Sequence, residues 1–98
     1  IIPRKQGARF EDANNEALTS LVPILSESLG RLEGYLGAFA YNLIIQSAPR
    51  TASEVPWYRW HIPILPRLTQ VAGFEWATQF FINPTPPETA AEALRRIK

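Results

Sequence analysis

The sequence predicts an α+β domain, an antiparallel sheet with helices packed on one face. Three observations predict it. Apolar residues recur at steps of three and four near both ends of the chain, which marks amphipathic helices. Three stretches between them are rich in β-branched and aromatic residues and are bounded by Pro or Gly, which marks strands. The connections run about ten residues with no crossover helix, which argues for antiparallel pairing. With 98 residues, 46% of them apolar, the chain suffices for a single domain and a core.

The elements follow in order. Residues 1–10 carry Pro3 and Gly7 and little periodicity, so they read as the end of a strand and a turn. Asp12, Asn14 and Asn15 are N-cap types, since their short side chains can accept from the first free helical amides. Leu18, Leu21, Val22, Leu25, Leu29, Leu32 and Leu36 then mark one stripe of a helix over residues 14–36. Pro23 removes one backbone bond within it and predicts a kink or a later start. Gly37 is the expected C-cap.

Strands are expected over residues 41–47, 57–65 and 74–83, with connections over 48–56 and 66–73. Thr85-Pro86-Pro87-Glu88 predicts a last helix, with Thr85 as N-cap, proline in the first helical position and Glu88 closing a capping box. Ala90, Ala91, Leu94 and Ile97 give that helix its apolar stripe. Arg95, Arg96 and Lys98 stand at its end, where the dipole favours cations.

Composition excludes several classes. Net charge is +1, with eight Arg and two Lys against nine acids, and no basic stripe interleaved with aromatics. Nucleic acid is therefore not the expected partner. No apolar run approaches the length of a membrane span. There is no Cys, so disulfide scaffolds and thiolate metal sites are out. A chain that opens Ile1-Ile2 and contains no Met reads as a piece of something longer.

Alternation along the expected strands separates two faces. In the second strand Tyr58, Trp60, Ile62 and Ile64 share an apolar face, opposite Trp57, Arg59, His61, Pro63 and Leu65. In the third, Phe74, Trp76, Thr78, Phe80 and Ile82 oppose Glu75, Ala77, Gln79, Phe81 and Asn83. A face that mixes Arg, His, Glu, Gln and Asn with large aromatics suits a binding surface or a second interface. His61 is the only histidine and alone builds neither a metal site nor a catalytic triad. Glu75 on an aromatic strand needs a partner. Two are open: Arg59 across the sheet, or ligand hydroxyls donating to the carboxylate.

Several separated motifs then carry a resemblance. They are Tyr41-Asn42-Leu43, Ala48-Pro49-Arg50, Tyr58-Arg59-Trp60-His61-Ile62, Pro66-Arg67, Ala72-Gly73-Phe74-Glu75 and Ile82-Asn83-Pro84-Thr85-Pro86-Pro87-Glu88. Together they resemble the C-terminal domain of the galactose-1-phosphate uridylyltransferases, in the histidine-triad superfamily, along the whole of residues 1–98. The resemblance implies a histidine-triad-like half-domain, the C-terminal domain of a longer nucleotidyltransferase. That enzyme moves a nucleoside monophosphate between a hexose 1-phosphate and UDP-hexose in galactose metabolism. Its nucleophile lies in a His-Pro-His-Gln type motif that this sequence lacks, so the chain by itself is expected to be inactive.

The same resemblance implies a hexose site drawing on Glu75, Phe74, Gly73 and Arg59. It implies a zinc or iron site to which His61 would belong. Many members carry His-x-His where this chain has Arg59-Trp60-His61, and a permanent cation is no ligand. The implied partners are the N-terminal half of the same protein, a sugar-phosphate or UDP-hexose substrate and a second subunit of a cytoplasmic homodimer. The rival readings are another sugar-nucleotide phosphorylase or adenylyltransferase of the superfamily, and a non-catalytic domain that only dimerises and supports.

Overall fold

The computed structural model describes residues 1–51 and 55–98, so residues 52–54 of the expected 48–56 connection lie outside the described residues. The first helix, α1, spans Asn15–Leu36. Asn14 caps it, its Oδ1 accepting from the Ala17 amide at 2.9 Å. It ends where Gly37 turns to φ 72 and ψ −160, a conformation open to glycine alone, and the Gly37 amide donates to Glu33 O at 2.8 Å. Helical structure continues through Pro23. Ala17, Leu21, Leu25, Leu29, Leu32 and Leu36 are half-buried along one stripe, whereas Leu18 and Val22 are exposed.

β1 (Tyr41–Leu43) pairs antiparallel with β2 (Ile64–Pro66), Leu43 opposite Ile64 and Tyr41 opposite Pro66. The register continues on both sides. The Arg67 amide donates to Ala40 O at 2.8 Å, and Gln46 and His61 exchange both backbone bonds at 2.9 and 3.0 Å. Between them the Ile44 amide donates to Pro63 O at 3.3 Å. Pro63 has no N–H to return the bond, so the ladder is broken there. This corrects the expected strands over 41–47 and 57–65: their pairing is right, but each is cut to three residues and a bridge.

The opposite edge of the 58–62 segment carries the N-terminal residues. Ile62 donates to Ile1 O at 2.8 Å, and the Ile1 amino group donates to Ile62 O at 2.9 Å. The Trp60 amide donates to Gly7 O at 2.9 Å, and Gln6 Nε2 to Tyr58 O at 2.6 Å. The expected strand end near Ile1 thus lies against this segment. The core sits here, in Ala48, Trp60 and Ile62, with Ile62 only 2% exposed. Phe10, which opens a 3₁₀ turn over Phe10–Asp12, sets its ring against Trp60 nearly edge-on at 5.1 Å.

The expected third strand is overturned. Gly73–Thr78 is a short helix, α2, followed by an irregular segment. Neither β1 nor β2 pairs with these residues, and β propensity without a pairing partner is weak. Local bonds prevail instead: the Thr78 hydroxyl donates to Phe74 O at 2.7 Å, and Gln79 closes the helix at φ 63 with its amide on Glu75 O at 3.0 Å. The α+β class and the antiparallel sheet stand as expected, with two paired strands rather than three among the described residues.

The last helix, α3, spans Pro87–Arg96, with Pro87 in its first turn and Arg95 and Arg96 in its last. Its N-cap is Pro86, one residue later than expected, and no side chain caps it. The capping box is therefore corrected: Thr85 lies outside the helix, where its amide donates to Asn83 Oδ1 at 3.1 Å. α3 packs on α1. Arg31 Nη1 reaches Leu94 O at 3.0 Å, and Gly34 lets Ile97 approach closely.

Much of the apolar surface is left without cover. The accessible area is 7863 Å², against about 5,700 Å² for a compact monomer of this mass. The radius of gyration is 16.0 Å, against about 13 Å for a compact chain of this length. Trp57, Trp76, Phe80 and Phe81 are each at least 70% exposed. Among the described residues no helix is long and apolar enough to cross a membrane.

Candidate functional site

An open groove of about 740 Å³ is lined by residues of α1, β1, β2 and α3 and by Glu75 of α2. Leu32 and Leu36 of α1, Leu65 of β2 and Leu94 of α3 give it apolar walls. Asn42, Arg67, Thr69, Glu75 and Asn83 supply polar groups. A mainly apolar concavity with a few convergent polar groups is the usual form of a small-molecule site.

Glu75 stands in this groove because residues 73–78 coil. On a strand it would alternate with Phe74 and Trp76. On α2 it turns inward while those two rings stay exposed. Its Oε2 accepts from the Ile82 amide at 3.2 Å, which ties down the chain after α2. Its Oε1 accepts no hydrogen bond among the described residues. The expected pairing with Arg59 is not formed; no ion pair joins the two among the described residues. A backbone amide takes that place instead.

The other expected site residues are placed elsewhere. Gly73 and Phe74 begin α2 but do not line the groove. Arg59 is exposed beside His61 on the 58–62 segment, away from the groove lining. His61 sits in the backbone bridge to Gln46, with Nδ1 3.0 Å from Arg59 O and its ring 5.8 Å from that of Tyr58. Among the described residues no three His, Cys, Asp or Glu side chains gather. The donors among the described residues therefore do not by themselves make up the zinc or iron site that the resemblance implies.

Arg67 and Asn83 line the groove, and sequence patterning did not single them out. Both stand in motifs that carry the resemblance, Pro66-Arg67 and Ile82-Asn83-Pro84. Nothing in their spacing says that the loop after β2 and the segment after α2 face one cavity.

No family model matches the chain. It is 31% identical, over 99% of its length, to a protein described as ADP-glucose phosphorylase from Arabidopsis thaliana. A crystal structure of an ADP-glucose phosphorylase from the same plant, with bound ADP-glucose, superposes with a TM-score of 0.95 at 29% identity over 99% of this chain. The chain is homologous to a segment of these proteins. The X-ray structure of a GalT-like protein from Arabidopsis thaliana agrees equally, with a TM-score of 0.95 and 29% identity. This chain spans 28% of the length of the curated relative and 32% and 33% of the two solved chains. The GalT-like match covers the region of α2 and the groove, so the helical form of residues 73–78 sits within a shared fold.

Proposed function

We propose that this chain forms the hexose-binding part of an enzyme that processes sugar nucleotides, with Glu75 accepting hydrogen bonds from hexose hydroxyls. The observation that carries this is the Glu75 carboxylate in the groove, with Oε2 held by the Ile82 amide and Oε1 open to a donor. A carboxylate is an acceptor only, and sugar hydroxyls are donors that match it. Homology to a protein described as ADP-glucose phosphorylase supports a sugar-nucleotide substrate. It favours phosphorylase chemistry on an adenine sugar nucleotide over uridylyl transfer to galactose 1-phosphate.

The chemistry is transfer of a nucleoside monophosphate between phosphate-bearing acceptors. A nucleophilic histidine in a His-Pro-His-Gln setting comes from outside these residues, because His61 is the only histidine and stands in a Trp60-His61-Ile62 setting. Gly73 and Phe74 act by starting the helix that presents Glu75. The exposed aromatic rings and Arg59 face the remainder of a longer protein or the second subunit of a homodimer. The surplus of accessible area, roughly 2,000 Å² on this one chain over a compact monomer, exceeds the ~800 Å² per partner of a standard interface and suits an extensive, obligate one.

The test is an assay of the full-length protein with ADP-glucose plus phosphate, and with UDP-glucose plus galactose 1-phosphate. Turnover is expected on the first pair, and Glu75→Ala should lower kcat/KM at least tenfold, about the value of a hydrogen bond to a charged group. Unchanged kinetics in Glu75→Ala remove Glu75 from the site. Turnover only on the second pair overturns the choice of nucleotide.

A further inference from the structure

The groove holds one cation and one anion, Arg67 and Glu75. They are not paired with each other, since no ion pair within 4.0 Å joins them among the described residues. Other arginines are neutralised within the chain: Arg31 by Glu27, Arg96 by Glu92 and Arg50 by Glu11. The Arg67 guanidinium makes no hydrogen bond or ion pair among the described residues. Its root is nonetheless fixed, because its amide donates to Ala40 O at 2.8 Å in register with the end of the sheet. A rooted, unpaired fork of N–H donors beside a cavity suits a tetrahedral oxyanion.

The two charged groups ask for opposite chemistry from one ligand. Glu75 accepts and repels anions. Arg67 donates and attracts them. A neutral sugar satisfies Glu75 alone, and inorganic phosphate satisfies Arg67 while meeting a carboxylate. A molecule with hydroxyls at one end and phosphate at the other satisfies both. We propose that Arg67 grips the phosphate of a hexose phosphate lying along the groove, with its hydroxyls on Glu75. The proposal rests on the hexose reading of Glu75. The phosphate belongs either to a hexose 1-phosphate or to the sugar-linked phosphate of a sugar nucleotide.

The experiment measures Kd for glucose, glucose 1-phosphate and ADP-glucose on the full-length protein, wild type and Arg67→Gln. Arg67 is exposed, and circular dichroism checks that the variant folds. Wild type is expected to bind at least one phosphorylated ligand ten- to a hundredfold tighter than glucose, the range of a charge-assisted hydrogen bond. Arg67→Gln should abolish that preference and leave glucose affinity unchanged. Arg67→Lys, a point charge without the fork, should restore part of it. Loss confined to glucose 1-phosphate or to ADP-glucose supports the proposal and names the source of the phosphate. If Arg67→Gln binds both phosphorylated ligands as wild type does, Arg67 has no such role and the Glu75 reading stands. If wild type binds none of the three, both readings fall.

Discussion

The contact between α1 and α3 makes a sharp prediction at Gly34. A Cβ at this position would lie 2.7 Å from Ile97 Cγ2 and 3.9 Å from Ile97 Cβ. Carbon atoms in good contact stand about 3.5–4.0 Å apart, so the overlap is close to 1 Å. Ile97 is β-branched and stiff at χ1, so its methyl does not swing away freely. Overpacking of this kind costs about 1–3 kcal/mol. Against it, alanine is favoured over glycine inside a helix by about 1 kcal/mol. Gly34→Ala should therefore be neutral to destabilising by about 2 kcal/mol.

Gly30 is the internal control. It lies on the same helix, and a methyl group added there would meet nothing within 4 Å, so Gly30→Ala should realise the full gain of about 1 kcal/mol. Urea or thermal unfolding of the two variants reads the difference, about 1–3 kcal/mol. For a chain of this size each kcal/mol moves Tm by about 4–8 °C. Ile97→Ala in the Gly34→Ala background should recover much of the loss, as expected for directly touching residues. If Gly34→Ala stabilises as much as Gly30→Ala, the close approach of α3 to α1 is refuted.

Two further outcomes are expected. Trp60→Ala should destabilise by about 3–5 kcal/mol, because this ring is 5% exposed, fills the small core against Phe10, and leaves a cavity when truncated; denaturant unfolding checks it, and a loss below about 1 kcal/mol would contradict the assignment of the core. Ser47→Ala should raise the pKa of Glu11, whose carboxyl is held below its ordinary value by its own backbone amide, then by the Ser47 hydroxyl 2.7 Å away, and further by Arg50 and Arg9. Because the folded pKa is depressed, the stabilisation is present above the ordinary carboxylate range and lost as pH falls through the folded pKa; NMR titration of the carboxyl in wild type and variant reads both effects, and superimposable curves would remove Ser47 as a cause.

The two long helices were legible because their signals are local. Asn14 caps, the leucines repeat at helical spacing and Gly37 stops the chain, all within α1 itself. The placement of α3 erred by one residue because Pro86 and Pro87 both satisfy the rules for a helix start. The antiparallel pairing of residues 41–46 with 61–66 was legible in their composition together with the short connection between them. That the ladder would break at Pro63 followed only once the register set Pro63 opposite Ile44. Residues 74–83 misled for a physical reason. Aromatic and β-branched side chains favour a strand where a neighbouring strand can pair with them, and here none does.

Glu75 stands at the meeting point of the two kinds of information. The sequence by itself determined that this carboxylate was out of place among aromatics and had to find a partner, because its charge and its neighbours are local facts. Only the tertiary structure decided that Glu75 turns inward on a helix, that Ile82 holds one of its oxygens, and that Arg67 shares its groove. Those choices depend on which edges of the sheet remain free and on where α1 and α3 stand, and such long-range geometry leaves no period in the chain.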